Sequence, residues 1–175
     1  MRGHRRPCGI DVCGTTFTQS AAQPAGPAAA ASAPALNTLK IGVIGPSAGG
    51  SSDFGLPMLN GIQQAVDEIN AVGRDLGRKL EIVRKDDQGS PDVGLKLSNE
   101  LVAEKVVATI GFCNTGVAAR SPDVFQSSKL PLIIPCATGS PLTPKYPSAE
   151  SCIFRTSPSD GIQVLFVVDD ILKRG

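Results

Sequence analysis

The sequence predicts an α/β fold in which a doubly wound parallel sheet carries helices on both faces. Two observations support this prediction. From Leu39 onward, short aliphatic and β-branched runs alternate with longer segments that repeat apolar residues at helical spacing. The strand runs are also apolar almost throughout, as expected for strands that are covered on both sides. Such an alternating series forms a parallel sheet with right-handed helical connections.

The first strand and helix are the clearest elements. Leu39–Gly45 (LKIGVIG) predicts a buried strand that ends at a Gly-Pro pair, and a loop rich in glycine and serine follows. Gly73 is placed to end the next helix, because glycine readily adopts the left-handed conformation found after a last helical turn. The apolar residues that recur at helical spacing in that helix are Met58, Ile62, Ala65, Val66 and Ile69.

The alternation continues to the end of the chain. Ser90 and Pro91 predict the start of a second helix, as an N-cap and a first-turn proline. The chain stops at Gly175, where another strand is expected, so we expect the domain to be truncated. The remaining predicted elements are strands at Leu80–Val83, Val106–Ile110 and Leu130–Ile134, and helices over Gly116 to about Ser128 and from near Ser159.

Residues 1–38 are expected to form a separate, disordered segment. They show no apolar periodicity, and Ala21–Ala35 consists almost entirely of small and polar residues with proline. Three early arginines and the small-residue sites at Ser20–Ala22 or Ala31–Ala33 resemble parts of an export signal, but Cys8–Ser20 lacks the apolar segment between them. Two interpretations remain open: a signal peptide lost through a wrong start site, and a natural cytosolic tail.

The composition excludes several classes of protein. A net charge of +1 lacks the basic excess of nucleic-acid binding, and 4% aromatic residues without tryptophan offer no base-stacking surface. No apolar run approaches the roughly 20 residues of a membrane-spanning helix. The single histidine is His4, and the five cysteines have irregular spacing, so no zinc site is predicted. We expect no metal, no cofactor and no nucleic-acid partner.

The sequence partly matches some enzyme motifs, but it completes none of them. Gly45–Ser52 (GPSAGGSS) nearly matches a phosphate-binding loop, but Ser51 stands where a lysine must reach the phosphates. The dinucleotide-binding glycine pattern is also incomplete, and no G-x-S-x-G turn is present. Without a histidine in the folded part, neither a serine nor a cysteine catalytic triad is available. The sequence therefore does not predict an enzyme.

Four reactive side chains lie in predicted loops. Asp86 and Asp87 are interpreted as loop-capping, solvated acids at a strand end rather than as a catalytic acid–base pair. Cys113 and Cys136 are interpreted as packing or loop residues, because a reactive thiolate needs a nearby cation or helix terminus.

Ligands of open parallel sheets bind beyond the carboxyl ends of the strands. The loops predicted at that edge are Pro46–Phe54, Asp86–Asp87, Phe112–Gly116 and Cys136–Ser140.

A family resemblance extends from Leu39 to Gly175. It rests on an ordered set of motifs: AVDEINA at 65–71, the Asp86-Asp87 strand end, Pro135–Thr138 followed by Leu142-Thr143, and Phe154–Thr156. In this order they closely resemble the leucine/isoleucine/valine-binding family of periplasmic proteins. The resemblance implies a type I periplasmic-binding fold, with two α/β lobes that close on a ligand about a hinge.

The resemblance also implies function and organisation. Residues 39–175 would form the first lobe, truncated near the hinge, of a periplasmic monomer without catalytic activity. That monomer would capture a branched-chain amino acid or a related small carboxylate or amide for an inner-membrane ABC permease. The alternatives are a sensory or regulatory domain with the same fold, and a fragment of a cytosolic α/β enzyme.

Two turns are implied to hold the ligand's α-carboxylate and α-ammonium groups. They are Asn114, Thr115 and Gly116 after the third strand, and Cys136, Ala137 and Thr138 after the fourth. Phe54 corresponds to an aromatic residue at the lip of the family's pocket. Physical chemistry agrees, because a helix N-terminus offers free N–H groups and a positive dipole end to an anion. The Thr138 hydroxyl both donates and accepts, and the Cys136 carbonyl can accept from an ammonium group.

Overall fold

The computed structural model describes residues 38–73, 78–146 and 149–175 of the chain, and the structural statements below concern these residues. Except for Thr38, the predicted disordered segment 1–38 lies outside them. The strands are β1 (Leu39–Gly45), β2 (Leu80–Asp86), β3 (Ala108–Gly111), β4 (Leu132–Ile134) and β5 (Ile153–Arg155). The helices are α1 (Ser52–Val72), α2 (Pro91–Ala103), α3 (Thr115–Ala118), α4 (Pro122–Ser127) and α5 (Asp160–Arg174), with a 3₁₀ turn at Ser140–Leu142.

The five strands form one parallel sheet in the order β2-β1-β3-β4-β5. Strand β1 lies between β2 and β3, with Ile41 opposite Ile82 on one side and Ala108 on the other. Each neighbouring pair is parallel, and helices separate the first four strands along the chain, which confirms the predicted α/β class. All carboxyl strand ends therefore meet at one edge of the sheet.

The core packs mainly against β1, β3 and β4. Ile44 of β1 and Leu132 of β4 are fully buried. The rings of Phe112 and Phe125 meet edge to face, with centroids 6.5 Å apart, an arrangement that aromatic pairs favour. Leu101 of α2 is also fully buried in this cluster. The core is therefore mainly aliphatic, with one aromatic pair at its centre.

Helix α1 is longer than its apolar pattern predicts, and it ends as expected. It begins at Ser52, well before Met58, and a close approach of Gly55 to the Pro46 carbonyl fixes its first turn. At the other end, Gly73 has a φ of 62°, and its N–H donates to the Ile69 carbonyl at 3.2 Å. The predicted glycine stop is therefore confirmed.

The single helix predicted from Gly116 to about Ser128 is wrong. The segment forms α3 and α4, separated at Ser121. Pro122 causes the break, because proline has no N–H to continue the hydrogen bonding of a helix but fits its first position well. The predicted starts of β3 and β4 at Val106 and Leu130 are also two residues early.

Helix α5 begins where the sequence predicts, and it carries an exposed apolar surface. The Ser159 hydroxyl accepts a hydrogen bond from the Ile162 N–H at 3.4 Å and caps the helix. Eight large apolar side chains of α5 are each 48–76% exposed. Within the described ranges, no helix combines the length and apolar character needed to cross a lipid bilayer.

Candidate functional site

The loops at the carboxyl edge of the sheet contact one another through side chains. Ser47 after β1 donates from its hydroxyl and its N–H to the Asp86 carboxylate, at 2.6 and 3.0 Å. Asn114 after β3 donates from Nδ2 to the Ser51 hydroxyl at 3.0 Å. These bonds join loops that are far apart in sequence, and they bring three of the four predicted site loops together.

Asp86 and Asp87 act as loop caps, as predicted, but Asp87 is fully buried and not solvated as expected. Asp86 accepts from the Gln88 N–H and Asp87 from the Gly89 N–H, each at 2.9 Å, in the two-residue pattern of an Asx turn. Burial acts to raise the pKa of Asp86, but the hydrogen bonds from Ser47 and Gln88 outweigh it and lower that pKa. Burial dominates at fully buried Asp87 and raises its pKa.

The turn after β3 contains the first predicted ligand-binding group. Thr115 accepts at its hydroxyl from the Gly139 N–H at 3.2 Å, which ties this turn to the one after β4. The Oδ1 atom of Asn114 is buried, and no described residue donates to it. The backbone N–H groups of Thr115 and Gly116 likewise have no acceptor among the described residues.

Residues at the end of β5 and just after it hold the turn after β4 through hydrogen bonds. Some polar groups of that turn have no partner among the described residues. Ser157 donates to the Ala137 carbonyl at 3.0 Å, and Arg155 donates to the Thr138 carbonyl at 3.1 Å. The Asp160 N–H donates to the same Thr138 carbonyl at 2.9 Å. In the described part of the chain, neither the Cys136 carbonyl nor the Thr138 hydroxyl has a hydrogen-bond partner.

Phe54 lies at the start of α1, at the same edge of the sheet as these turns. It is 69% exposed, in the first turn of α1, three residues after the Ser51 that bonds Asn114. This position agrees with an aromatic residue at the lip of a site. Its predicted role remains a prediction.

The structure changes the electrostatic basis expected for anion binding. The helix that follows Asn114 has only four residues, so its aligned peptide dipoles are far fewer than in the predicted helix of thirteen. What remains is the set of individual N–H groups at Thr115, Gly116 and Thr138. Each is a donor of ordinary strength, and they act together only if a ligand reaches both turns.

Arg155 is the structural residue that sequence reasoning missed. Its guanidinium donates to the Thr138 carbonyl and, at 2.8 Å, to the Gly139 carbonyl, so it fixes the second turn from the neighbouring strand. The available signal was an arginine at the carboxyl end of a short, partly apolar strand. The five N–H donors of a partly buried arginine need acceptors, and main-chain carbonyls supply two of them here.

No metal site accompanies these turns. Among residues 38–73, 78–146 and 149–175, no three histidine, cysteine, aspartate or glutamate side chains converge in a manner that would hold a metal ion. The groups assembled here are suited to hydrogen bonding a small polar molecule.

Comparison with known proteins identifies relatives of this fold. The sequence profile of the family described as periplasmic binding protein matches residues 38–175. The Leu/Ile/Val-binding protein homolog 3 of Brucella melitensis is 34% identical over 135 residues, which are 77% of this chain and 36% of that protein.

Solved structures of similar proteins belong to the same class of binding protein. The branched-chain amino acid transporter substrate binding protein of Streptococcus pneumoniae, in complex with isoleucine, has a TM-score of 0.65 and 31% identity, covering 71% of this chain and 35% of that one. A solute binding protein of an ABC transporter from Rhodopseudomonas palustris, in complex with 3,4-dihydroxybenzoic acid, has a TM-score of 0.61 and 31% identity, covering 70% and 32%. The chain spans about a third of the length of these relatives. Its fold is the type I periplasmic-binding fold, and the chain belongs to the periplasmic binding protein family.

Proposed function

We propose that this chain is part of the substrate-binding component of an ABC importer and captures a branched-chain amino acid or a related small carboxylate or amide in the periplasm. An inner-membrane ABC permease is the proposed partner. The Leu/Ile/Val-binding relative and the isoleucine complex described above support this function class. The relatives are substrate-binding proteins, so we also propose that the chain performs no catalytic step.

One observation carries the proposal: two turns tied by the bond between Gly139 and Thr115 expose unpaired polar groups of both kinds. Donors are available at the N–H groups of Thr115, Gly116 and Thr138. Acceptors are available at the Cys136 carbonyl and the Thr138 hydroxyl. A zwitterion carries one group that needs donors and one that needs acceptors, so it matches this pairing. A charge-assisted hydrogen bond contributes about 1.5–3 kcal/mol, so a few of them would determine ligand orientation.

We expect weak binding by the 175-residue chain alone. Family members close two lobes around the ligand, and Thr115 and Gly116 are exposed here. Titration with leucine, followed by backbone amide resonances, detects dissociation constants in the millimolar range. The resonances of Thr115, Gly116 and Thr138 should shift, whereas leucinamide, which lacks the carboxylate, should shift them much less. Shifts confined to the opposite edge of the sheet would refute the site.

A substitution tests the Thr138 hydroxyl directly. Thr138→Ala should weaken leucine binding at least tenfold, about 1.4 kcal/mol, because one charge-assisted hydrogen bond is lost. Ser128→Ala is the matched control, since it removes a hydroxyl beyond α4, at the amino edge of the sheet. Equal affinity of Thr138→Ala and the parent chain would remove Thr138 from the site. A preference for 3,4-dihydroxybenzoate over leucine would assign the turns to aromatic acids instead.

A further inference from the structure

Two cysteines lie in the turns that follow neighbouring strands at the carboxyl edge, Cys113 after β3 and Cys136 after β4. Strand β3 pairs with β4 so that Thr109 lies opposite Leu132 and Ile110 opposite Ile133, an offset of 23 residues. Cys136 follows Cys113 by the same 23 residues. Beyond the paired strands, the Ala137 N–H still donates to the Phe112 carbonyl at 3.3 Å, so the two segments stay side by side.

This placement fits the geometry of a disulfide bond. Neighbouring strands lie about 4.8 Å apart, and disulfides form where Cα atoms are separated by roughly 4.4–6.8 Å. The Cys113 and Cys136 side chains are hydrogen-bonding neighbours, so their sulfur atoms lie close together. Both cysteines are free thiols and both are partly accessible, so a small oxidant can reach them.

The surroundings indicate how the two thiols differ. Burial, and then the neighbouring Cys136 side chain, raise the pKa of the Cys113 thiol to about 12. The Sγ atom of Cys113 also lies 3.8 Å from the thioether sulfur of Met58, which covers one side of it. Cys113 is therefore a poor first nucleophile at neutral pH, because only the thiolate attacks a disulfide.

We infer that Cys113 and Cys136 are a thiol pair that closes to an intramolecular disulfide linking the turns after β3 and β4. The oxidant is a small-molecule disulfide such as oxidised glutathione. Cys136 attacks it, releasing one glutathione thiol and leaving glutathione bound to Cys136. Cys113 then loses its proton and attacks the Cys136 sulfur, which releases the second glutathione thiol. Two protein thiols and one disulfide thus become one protein disulfide and two thiols. This inference does not depend on the proposed function.

The chain offers a clean experiment, because the three cysteines of the folded part fall on separate tryptic peptides. Cys113 lies in 106–120, Cys136 in 130–145 and Cys152 in 146–155. Cys152 is also a partly accessible free thiol, so it is the matched control within the same molecule. Cys8 and Cys13 are replaced by serine in every protein that is tested. The folded protein with these two replacements is oxidised with glutathione disulfide, alkylated and mapped by mass spectrometry.

We expect peptides 106–120 and 130–145 to appear joined, at least tenfold in excess over forms with glutathione on either one. Cys152 should remain open to alkylation or carry glutathione alone, and Cys152→Ser should leave the joined product unchanged. In Cys113→Ser, the reaction should stop with glutathione on Cys136. Separate glutathione adducts on Cys113 and Cys136 in the parent chain, or a link from either one to Cys152, would overturn the inference.

Discussion

Gly139→Ala should push apart the two turns of the candidate site, and its effect can be worked out from the structure. A Cβ atom at position 139 would lie 2.2 Å from Cγ2 of Thr115, far inside contact distance. Gly139 has a φ of −51° and a ψ of 125°, which alanine adopts freely, so the penalty is steric and not conformational. To relieve the contact, Thr115 must move, and its hydrogen bond to the Gly139 N–H is then lost.

The expected loss of unfolding free energy is about 2–4 kcal/mol, from about 1 kcal/mol for the hydrogen bond and about 1–3 kcal/mol for the steric conflict. Urea unfolding measures it: with a slope of about 2 kcal/mol per molar, the midpoint should fall by at least about 1 M. Gly116→Ala is the control, because a Cβ there meets nothing within 4 Å.

A double substitution separates this explanation from general damage to the turn. Thr115→Ser removes the methyl group that conflicts with the new Cβ atom at position 139 and keeps the hydroxyl, whose oxygen would lie 3.3 Å from that Cβ. Thr115→Ser combined with Gly139→Ala should therefore recover at least half of the lost stability, with a coupling energy of about 1 kcal/mol or more. Additive losses, or an unchanged midpoint for Gly139→Ala alone, would refute the reasoning.

Two further predictions concern the supports of the site. Gly55→Ala should destabilise the chain by at least about 2 kcal/mol, because its Cβ would lie 1.8 Å from the Pro46 carbonyl oxygen, whereas Gly61→Ala in the same helix meets open space and should stabilise it by about 0.5–1 kcal/mol. Thermal unfolding compares them, and equal effects would contradict the packing argument. The lowered pKa of Asp86 predicts a stabilisation that is present above its ordinary pKa of 3.8 and is lost as pH falls through the lower folded value. Ser47→Ala should reduce that pH dependence in unfolding measured from about pH 5 to about pH 2, and identical pH profiles would exclude the Ser47 hydroxyl bond as its cause.

Local sequence pattern was sufficient to predict the order of the first four strands and of the helices, except that α3 and α4 were expected as one helix and no strand was predicted at β5. Strand β1 and the end of α1 depend on signals within a few residues, namely a continuous aliphatic run and Gly73, and both were found. The division between α3 and α4 was missed, although Pro122 is visible in the sequence. The apolar positions Val117, Val124 and Phe125 continue on both sides of it, so the apolar pattern does not mark the break that the missing proline N–H imposes.

The candidate site was predictable only in part, because parallel topology brings strand ends together without specifying which atoms meet there. Thr115 and Thr138 were both predicted to lie in ligand-binding turns. In the structure, their hydroxyl groups have different roles. The Thr115 hydroxyl is used in binding Gly139, while the Thr138 hydroxyl has no partner among the described residues. That difference depends on the register between β3 and β4, a long-range property with no local signal. Cys113 and Cys136 lie in the turns that follow these two strands, beyond the last paired residues. The sequence therefore indicates which residues lie at the carboxyl edge of the sheet. Which of their polar groups hold the turns together, and which stay unpaired, depends on how the turns after adjacent strands meet.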